Sequence, residues 1–267
     1  MQIAKIKVKG LRNTRDLGQL KTKDGHFVKK DVLFRSGRLD KVKKKRLITF
    51  LKEYQITRVI DLRTSVEANE GKDLLPEEVS YYHVPLLNDA FFGITHEKKM
   101  SKVLFRERKR ITKENSASDY MIKMYESIVS DPNSIEQIRI FFNLLLEEHK
   151  GATLFHCTGG KDRTGIAAIL LLAALGVDID EALQDYAASD YFNRKYNLSR
   201  NIGINIVLCL HPRFRKILLG MLYAKRSYME KTIEFIANKY GSLEFYLTDI
   251  IKLDEKKRQI LKEKYLI

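Results

Sequence analysis

The chain has 267 residues, 44% of them hydrophobic and 31% charged, which excludes a disordered or fibrous protein and suits one large domain or two small ones. A formal net charge of +15 favours anionic partners, whether nucleic acid, phosphorylated ligands or an acidic membrane surface, and does not choose among them. Its two cysteines are no disulfide framework.

The N-terminus carries no long apolar stretch and no small-residue cleavage site, so a cytoplasmic location is expected unless the chain is a mature form whose leader was removed. Five short runs have strand character: Ile3 to Val8, Val32 to Arg35, Arg58 to Leu62, Tyr81 to Leu86 and Ala152 to His156. The basic cluster Lys41 to Arg46, like Arg106 to Arg110, reads as a solvated helix face. The stretch Asn88 to Ser118 is long and basic yet carries Phe91, Phe92 and Leu104. It reads either as a surface excursion with one amphipathic helix or as a lid over the site.

Helical periodicity dominates from about Ser118. Ser134 to His149 places Ile135, Ile138, Phe142 and Leu145 on one face and stops at Lys150-Gly151. Arg163 to Leu175 is apolar, too short to span a bilayer, and reads as a buried helix ending at Gly176. Asp180 to Ala188, Ser227 to Tyr240 and Asp254 to Tyr265 complete the helices. Cys209 lies in an apolar run and reads as a buried thiol. Strands early and helices late predict an α/β domain over residues 1–267, with a central sheet and helices on its faces.

The chemistry is concentrated in His156-Cys157-Thr158-Gly159-Gly160-Lys161-Asp162-Arg163-Thr164-Gly165, between a strand and an apolar helix. Five residues separate Cys157 from Arg163, enough to curl round one phosphate with backbone N–H groups turned inward. The positive end of the following helix adds to that field, which favours a thiolate at Cys157 and makes it a nucleophile. Arg163 offers two parallel donors to phosphate oxygens. Gly159 and Gly160 allow close backbone approach. Thr164 can donate to the Cys157 sulfur, and His156 can orient the loop. A nucleotide-binding loop is excluded, because Gly160-Lys161 is followed by Asp162 and not by Ser or Thr.

These ten residues resemble the signature loop of the cysteine-based tyrosine and dual-specificity phosphatases. They are most similar to a bacterial branch with Lys-Asp before the Arg, several members of which also accept phosphoinositides. Asn13 to Gly18 is similar to that family's N-terminal motif, with Thr14 where an aromatic is usual. Leu33 to Leu39, Ile60 to Glu67, Asp185 to Tyr191 and Tyr240 to Leu247 are similar to further blocks. The resemblance implies a cysteine-phosphatase fold, a central mostly parallel sheet flanked by helices with a helical lid-like insertion at 88–118. It implies hydrolysis of phosphotyrosine, of phosphoserine and phosphothreonine, and of phosphoinositides through a phosphocysteine.

Cys157, Asp162 and Arg163 are then the expected catalytic residues, and Thr158, Gly159, Gly160, Lys161, Thr164 and Gly165 the substrate-binding ones. Asp162 lies inside the loop, as in the myotubularin-like lipid phosphatases, and is the preferred general acid. Asp61 is the runner-up, unless it only pairs with Arg63 or Arg15. Lys161 either faces solvent or meets extra phosphates. No metal or cofactor is expected, since no His, Cys and carboxylate cluster has metal spacing. Phosphorylated proteins and phosphoinositides are the expected partners, with transient contact to an anionic membrane. Nucleic acid is not expected, because no recognition motif accompanies the charge. A strict tyrosine phosphatase, a phospho-ligand binding module without turnover and a rhodanese-type sulfur-transfer enzyme are the competing readings.

Overall fold

The computed structural model describes residues 6–87 and 116–267. Five strands form one sheet in the order β1-β2-β5-β3-β4: β1 (Arg15–Asp16), β2 (Leu33–Ser36), β3 (Ile56–Asp61), β4 (Ser80–His83) and β5 (Ala152–His156). Only the β1–β2 pair is antiparallel. The sheet is therefore mostly parallel and flanked by helices, as expected. All five residues of β5 are buried, as a central parallel strand covered on both faces requires.

Side chains alternate across the sheet with period two. Leu33, Ile60 and Phe155 face the larger apolar cluster, while Phe34, Val59 and Leu154 face a smaller one. Helix α1 (Lys44–Glu53) closes the smaller cluster with Leu47, Phe50 and Leu51. On the other face pack α3 (Ala117–Ser130), α4 (Pro132–Leu146), α5 (Asp162–Ala174), α6 (Ile179–Phe192), α9 (Arg226–Tyr240) and α10 (Glu255–Tyr265), after the short α2 (Ser65–Glu70). Two further helices, α7 (Arg194–Val207) and α8 (Pro212–Gly220), lie between α6 and α9 in the chain, and α8 buries Phe214, Ile217 and Leu218 in the larger cluster. No helix among the described residues is long and apolar enough to cross a membrane.

Local chemistry sets the boundaries. Ser116 caps α3, and Asp131 caps α4 with Pro132 following. Helix α5 is buried almost all round, because its apolar residues fill every face. The expected strand at Ile3 to Val8 is not formed in its described part: Ile6 and Val8 pack on the smaller cluster as irregular chain. The strand expected at Tyr81 to Leu86 ends at His83, although Val84 and Leu86 are buried beyond it. The expected insertion falls outside the described residues except for residues 116–118, which open α3. Cys209 is exposed, contrary to the sequence reading, and both cysteines are free thiols.

Candidate active site

Strands β2, β5 and β3 end in register, with Ser36 and Asp61 each opposite His156. The loops that follow them converge at the carboxyl edge of the sheet, where open α/β sheets place their ligands. Cys157 leaves β5 at this edge and is almost fully buried.

The loop from Cys157 to Lys161 is held from outside by its carbonyls. That of Thr158 accepts from the Arg38 amide at 3.2 Å. That of Gly159 accepts from Asn13 Nδ2 at 3.2 Å and Asn193 Nδ2 at 3.4 Å. That of Gly160 accepts from Asn13 Nδ2 at 2.6 Å and an Arg35 Nη at 2.9 Å. In a trans peptide the N–H points opposite its carbonyl, so the amides of Gly159, Gly160 and Lys161 turn towards the inside of the loop. Gly160 has φ +63°, and a Cβ there would lie 2.4 Å from the Ser36 carbonyl oxygen. No side chain other than glycine fits. Helix α5 then starts at Asp162 with no side-chain cap from Lys161, so its first amides point at the same place.

Beneath the loop, Arg15 and Arg35 share one buried carboxylate, Asp185. Burial and the neighbouring Arg15, against the pull of Asp185, push the Arg35 guanidinium down to about 10, still charged at neutral pH. The fields of Arg35 and Arg163 both reach the Cys157 sulfur, where they would stabilise an anion.

Arg163 makes a two-point bond with Glu67, Nη2 donating to Oε1 at 3.0 Å and Nη1 to Oε2. Burial works against its charge, but Glu67 more than offsets this and holds the guanidinium protonated. Glu67 also accepts from the Thr158 hydroxyl and from the Thr64 amide at 2.9 Å. Burial raises this carboxyl, and Arg163 and Thr158 bring it below its usual range. Glu67 was not singled out from the sequence, yet its signal was there: Thr64-Ser65-Val66-Glu67 is a capping box, and the structure forms it.

The two candidate acids occupy different surroundings. Asp162 accepts from the Tyr125 hydroxyl, which lies 2.8 Å from that of Tyr186. Lys161 Nζ is 3.4 Å from the same Oδ1. Burial, then Asp162, keep Tyr125 protonated, so it acts as a donor. Gly165 makes room for this arrangement, since a Cβ there would lie 2.8 Å from the Tyr186 ring. Asp61 is clamped by Arg63, whose Nη2 donates to Oδ2 at 2.7 Å and Nε to Oδ1 at 2.9 Å, and it also accepts from Tyr81 at 2.9 Å. Burial raises Asp61, but His156 and Arg63 hold it far below the carboxylate range.

Three sequence expectations change. Lys161 does not face solvent: its ammonium is buried and donates to the Met221 carbonyl at 2.7 Å and that of Tyr223 at 3.3 Å. The Thr164 hydroxyl is buried without a hydrogen-bond partner, so the expected bond to the Cys157 sulfur is not made. His156 does approach the Cys157 carbonyl, at 3.4 Å, and its Nε2 lies 2.9 Å from Asp73. Finally, Asp61, Asp73 and His156 bring ligand atoms within 4.8 Å of one another, a cluster the sequence spacing hid. Arg63 already donates to both aspartates, so a cation stands where a metal would have to compete.

The chain matches the tyrosine phosphatase family over residues 6–267 and belongs to it. It is similar to a Cupriavidus necator protein named as a tyrosine-protein phosphatase, at 27% identity over 91% of this chain and 83% of the relative. It is also similar to the triple specificity protein phosphatase PtpB of Mycobacterium tuberculosis, at 28% identity over 81% of this chain and 84% of the relative. A solved phosphotyrosine complex of TpbA from P. aeruginosa aligns with 79% of this chain and 89% of its own at 12% identity, but with a TM-score of only 0.29.

Proposed function

We propose that this member of the tyrosine phosphatase family hydrolyses phosphomonoesters through a phosphocysteine on Cys157. The observation that carries the reading is the phosphate loop, whose carbonyls at Thr158, Gly159 and Gly160 are all taken by outside donors. The amides are thereby fixed in advance around one anion, the arrangement that stabilises charge on a transferring group. The Cys157 thiolate attacks phosphorus while Asp162 gives its proton to the departing oxygen. The P–O bond breaks and the alcohol or phenol leaves. Asp162, now a carboxylate, takes a proton from water, whose oxygen attacks phosphorus. The S–P bond breaks, and phosphate departs as the thiolate returns. Arg163 is the clamp on the phosphoryl oxygens, its angle set by Glu67. His156, Thr158, Gly159, Gly160, Lys161, Thr164 and Gly165 shape the cradle.

The substrate range we propose is broad: phosphotyrosine, phosphoserine and phosphothreonine, and phosphoinositides. Support for protein substrates comes from the family and from PtpB, whose name records triple specificity. Support for phosphoinositides comes from the net charge of +15 and not from Lys161, whose ammonium is engaged with backbone carbonyls.

Aryl phosphate turnover by wild type and Cys157→Ser, with acid trapping of radiolabelled phosphoenzyme, tests the reading. Loss on the order of 10⁴-fold or more in the variant is expected, with a phosphoenzyme in wild type alone. Undiminished turnover by Cys157→Ser would exclude the mechanism. A wild type that releases no phosphate, beside a variant that binds phosphopeptide as tightly, would leave a binding module. Rates on phosphopeptides and phosphoinositides side by side separate broad specificity from strict tyrosine specificity.

A further inference from the structure

We propose that the α7–α8 hairpin is a docking surface for an anionic lipid bilayer and that it seats the phosphate loop against the headgroup layer. The inference rests on the reading of a phosphatase that accepts lipid headgroups, and it names the surface that would bring the enzyme to them.

Helix α7 is amphipathic in the wrong sense for a core helix. Its inward positions are Asn197, Ile204 and Leu208, buried or half-buried. Its four-residue row Leu198, Ile202, Ile206 faces outward, 62%, 53% and 70% exposed, and Val207 and Leu210 extend the ridge at 72% and 85%. Scattered apolar residues on a surface are ordinary, but a continuous aliphatic ridge ending in the turn Leu208-Cys209-Leu210 is an interaction surface.

Charge selects the occupant. Between Asp190 and Glu230 the sequence has eight lysines and arginines and no aspartate or glutamate. Arg194 and Lys195 at one end of the hairpin and Arg213 and Lys216 beyond its tip are exposed. A second copy would bring the same cations against themselves across a two-fold interface, which like-charge repulsion opposes. An anionic bilayer answers both features, taking aliphatic side chains at the acyl boundary and cations among its headgroups.

The hairpin is tied to the phosphate loop at both ends. Before it, Asn193 donates to the Gly159 carbonyl at 3.4 Å. After it, the Met221 carbonyl accepts from Lys161 at 2.7 Å. A bilayer that holds the ridge therefore holds the loop at a fixed place relative to its surface. Lys161 thereby fastens the docking element to the catalytic loop.

The test uses the full chain with Cys157→Ser, which cannot turn over and keeps Cys209 as its single thiol. A polarity-sensitive fluorophore on Cys209 and co-sedimentation report binding to phosphatidylcholine vesicles made with and without one-fifth phosphatidylserine. Binding and a blue shift are expected only with phosphatidylserine, weakening as salt rises. The pair Ile202→Ser/Ile206→Ser should weaken binding about tenfold or more. Arg213→Ser and Lys216→Ser should each weaken it roughly fivefold. Since these side chains are exposed, the same substitutions on wild-type background should keep the circular dichroism and the turnover of a soluble aryl phosphate. Absence of binding to phosphatidylserine vesicles overturns the proposal, as does binding that the isoleucine pair does not change. Self-association abolished by that pair, without vesicle binding, would assign the ridge to a second copy and also overturn it. The vesicle assay needs no nucleophile and the aryl phosphate assay needs no membrane, so docking and the proposed chemistry can fail separately.

Discussion

Two buried carboxylates flank the strand that carries Cys157, and their surroundings set them apart. Asp61 is locked: a guanidinium grips both oxygens, a tyrosine and a backbone amide add donors, and His156 stands 3.9 Å away. All of these favour the anion, so Asp61 is poorly placed to give up a proton at neutral pH. Asp162 accepts from one hydroxyl, that of Tyr125, and lies 3.4 Å from an ammonium already shared with two carbonyls. Neither contact is a two-point guanidinium bond like the one that grips Asp61. Asp61 is therefore braced by its partners, which supports the proposal that Asp162 is the acid, although sequence alone allowed either.

The sharpest way to break this comparison is leaving-group chemistry. Asp162→Asn should lower turnover of an alkyl phosphate by about 10²–10⁴-fold and that of an activated aryl phosphate far less, because only a poor leaving group needs the proton. A variant near wild type on the alkyl ester would remove Asp162 from the acid role. Asp61→Asn should instead show in stability. Breaking a buried pair while Arg63 remains is expected to cost about 3–5 kcal/mol, read as a lower urea midpoint, with the leaving-group dependence unchanged. A steeper dependence in this variant would transfer the role to Asp61.

The same brace has a pH signature. Asp61, Glu67 and Asp185 are all held below their ordinary values, burial being outweighed by their arginines and, for Asp61, by His156 as well. Their stabilisation is complete above the unfolded carboxyl value of about 4 and is lost as pH falls through the depressed folded values. His156 has the opposite sign. Burial lowers it, Asp73 and Asp61 raise it above 6.5, and its contribution fades as pH climbs through the raised value. Urea midpoints near pH 7 and about pH 3 should therefore differ less in Asp61→Asn than in wild type. An unchanged difference would mean that Asp61 is not part of the acid-labile brace.

How much of this was legible depended on how local the cause was. The loop from His156 to Gly165 and strand β5 could be placed because sequence neighbours make them: an apolar run, two glycines, then an apolar helix. Neighbours could not reveal what crosses the fold. Arg15 and Arg35 meet Asp185 about half the chain away. Tyr125 reaches Asp162 from α3, and Lys161 is drawn inward by carbonyls that follow α8. Lys161 looked solvent-facing or substrate-facing because a lysine beside two glycines has no visible partner in sequence. Cys209 looked buried because an apolar run does not say whether it points in or out, and the turn after α7 leaves it exposed. Helix α1 was anticipated only through its basic start at Lys41 to Arg46, and α2 went unassigned, their apolar positions being few and spread among charges.

Smaller effects sharpen the contrast at Asp162. Tyr125→Phe removes its hydroxyl donor but leaves the ring contacts with Tyr186 and Tyr228. Losing this hydrogen bond should lower turnover about tenfold, most on poor leaving groups if the bond orients the acid. The same loss on every ester would mean that Tyr125 only holds the core together.

The smallest expected difference concerns Lys161. Its ammonium is spent on Met221 and Tyr223, so Lys161→Met should lower rates on a soluble inositol phosphate and on an aryl phosphate by the same factor. Measured on vesicle-bound phosphoinositide, however, the variant should fall further, because the tie between loop and hairpin is cut while the headgroup chemistry is unchanged. A selective loss on the soluble inositol phosphate would place the ammonium on the substrate, and then Lys161 would act as a ligand for extra phosphates. That one comparison separates a lysine that binds phosphate from one that holds the loop to the element beside it.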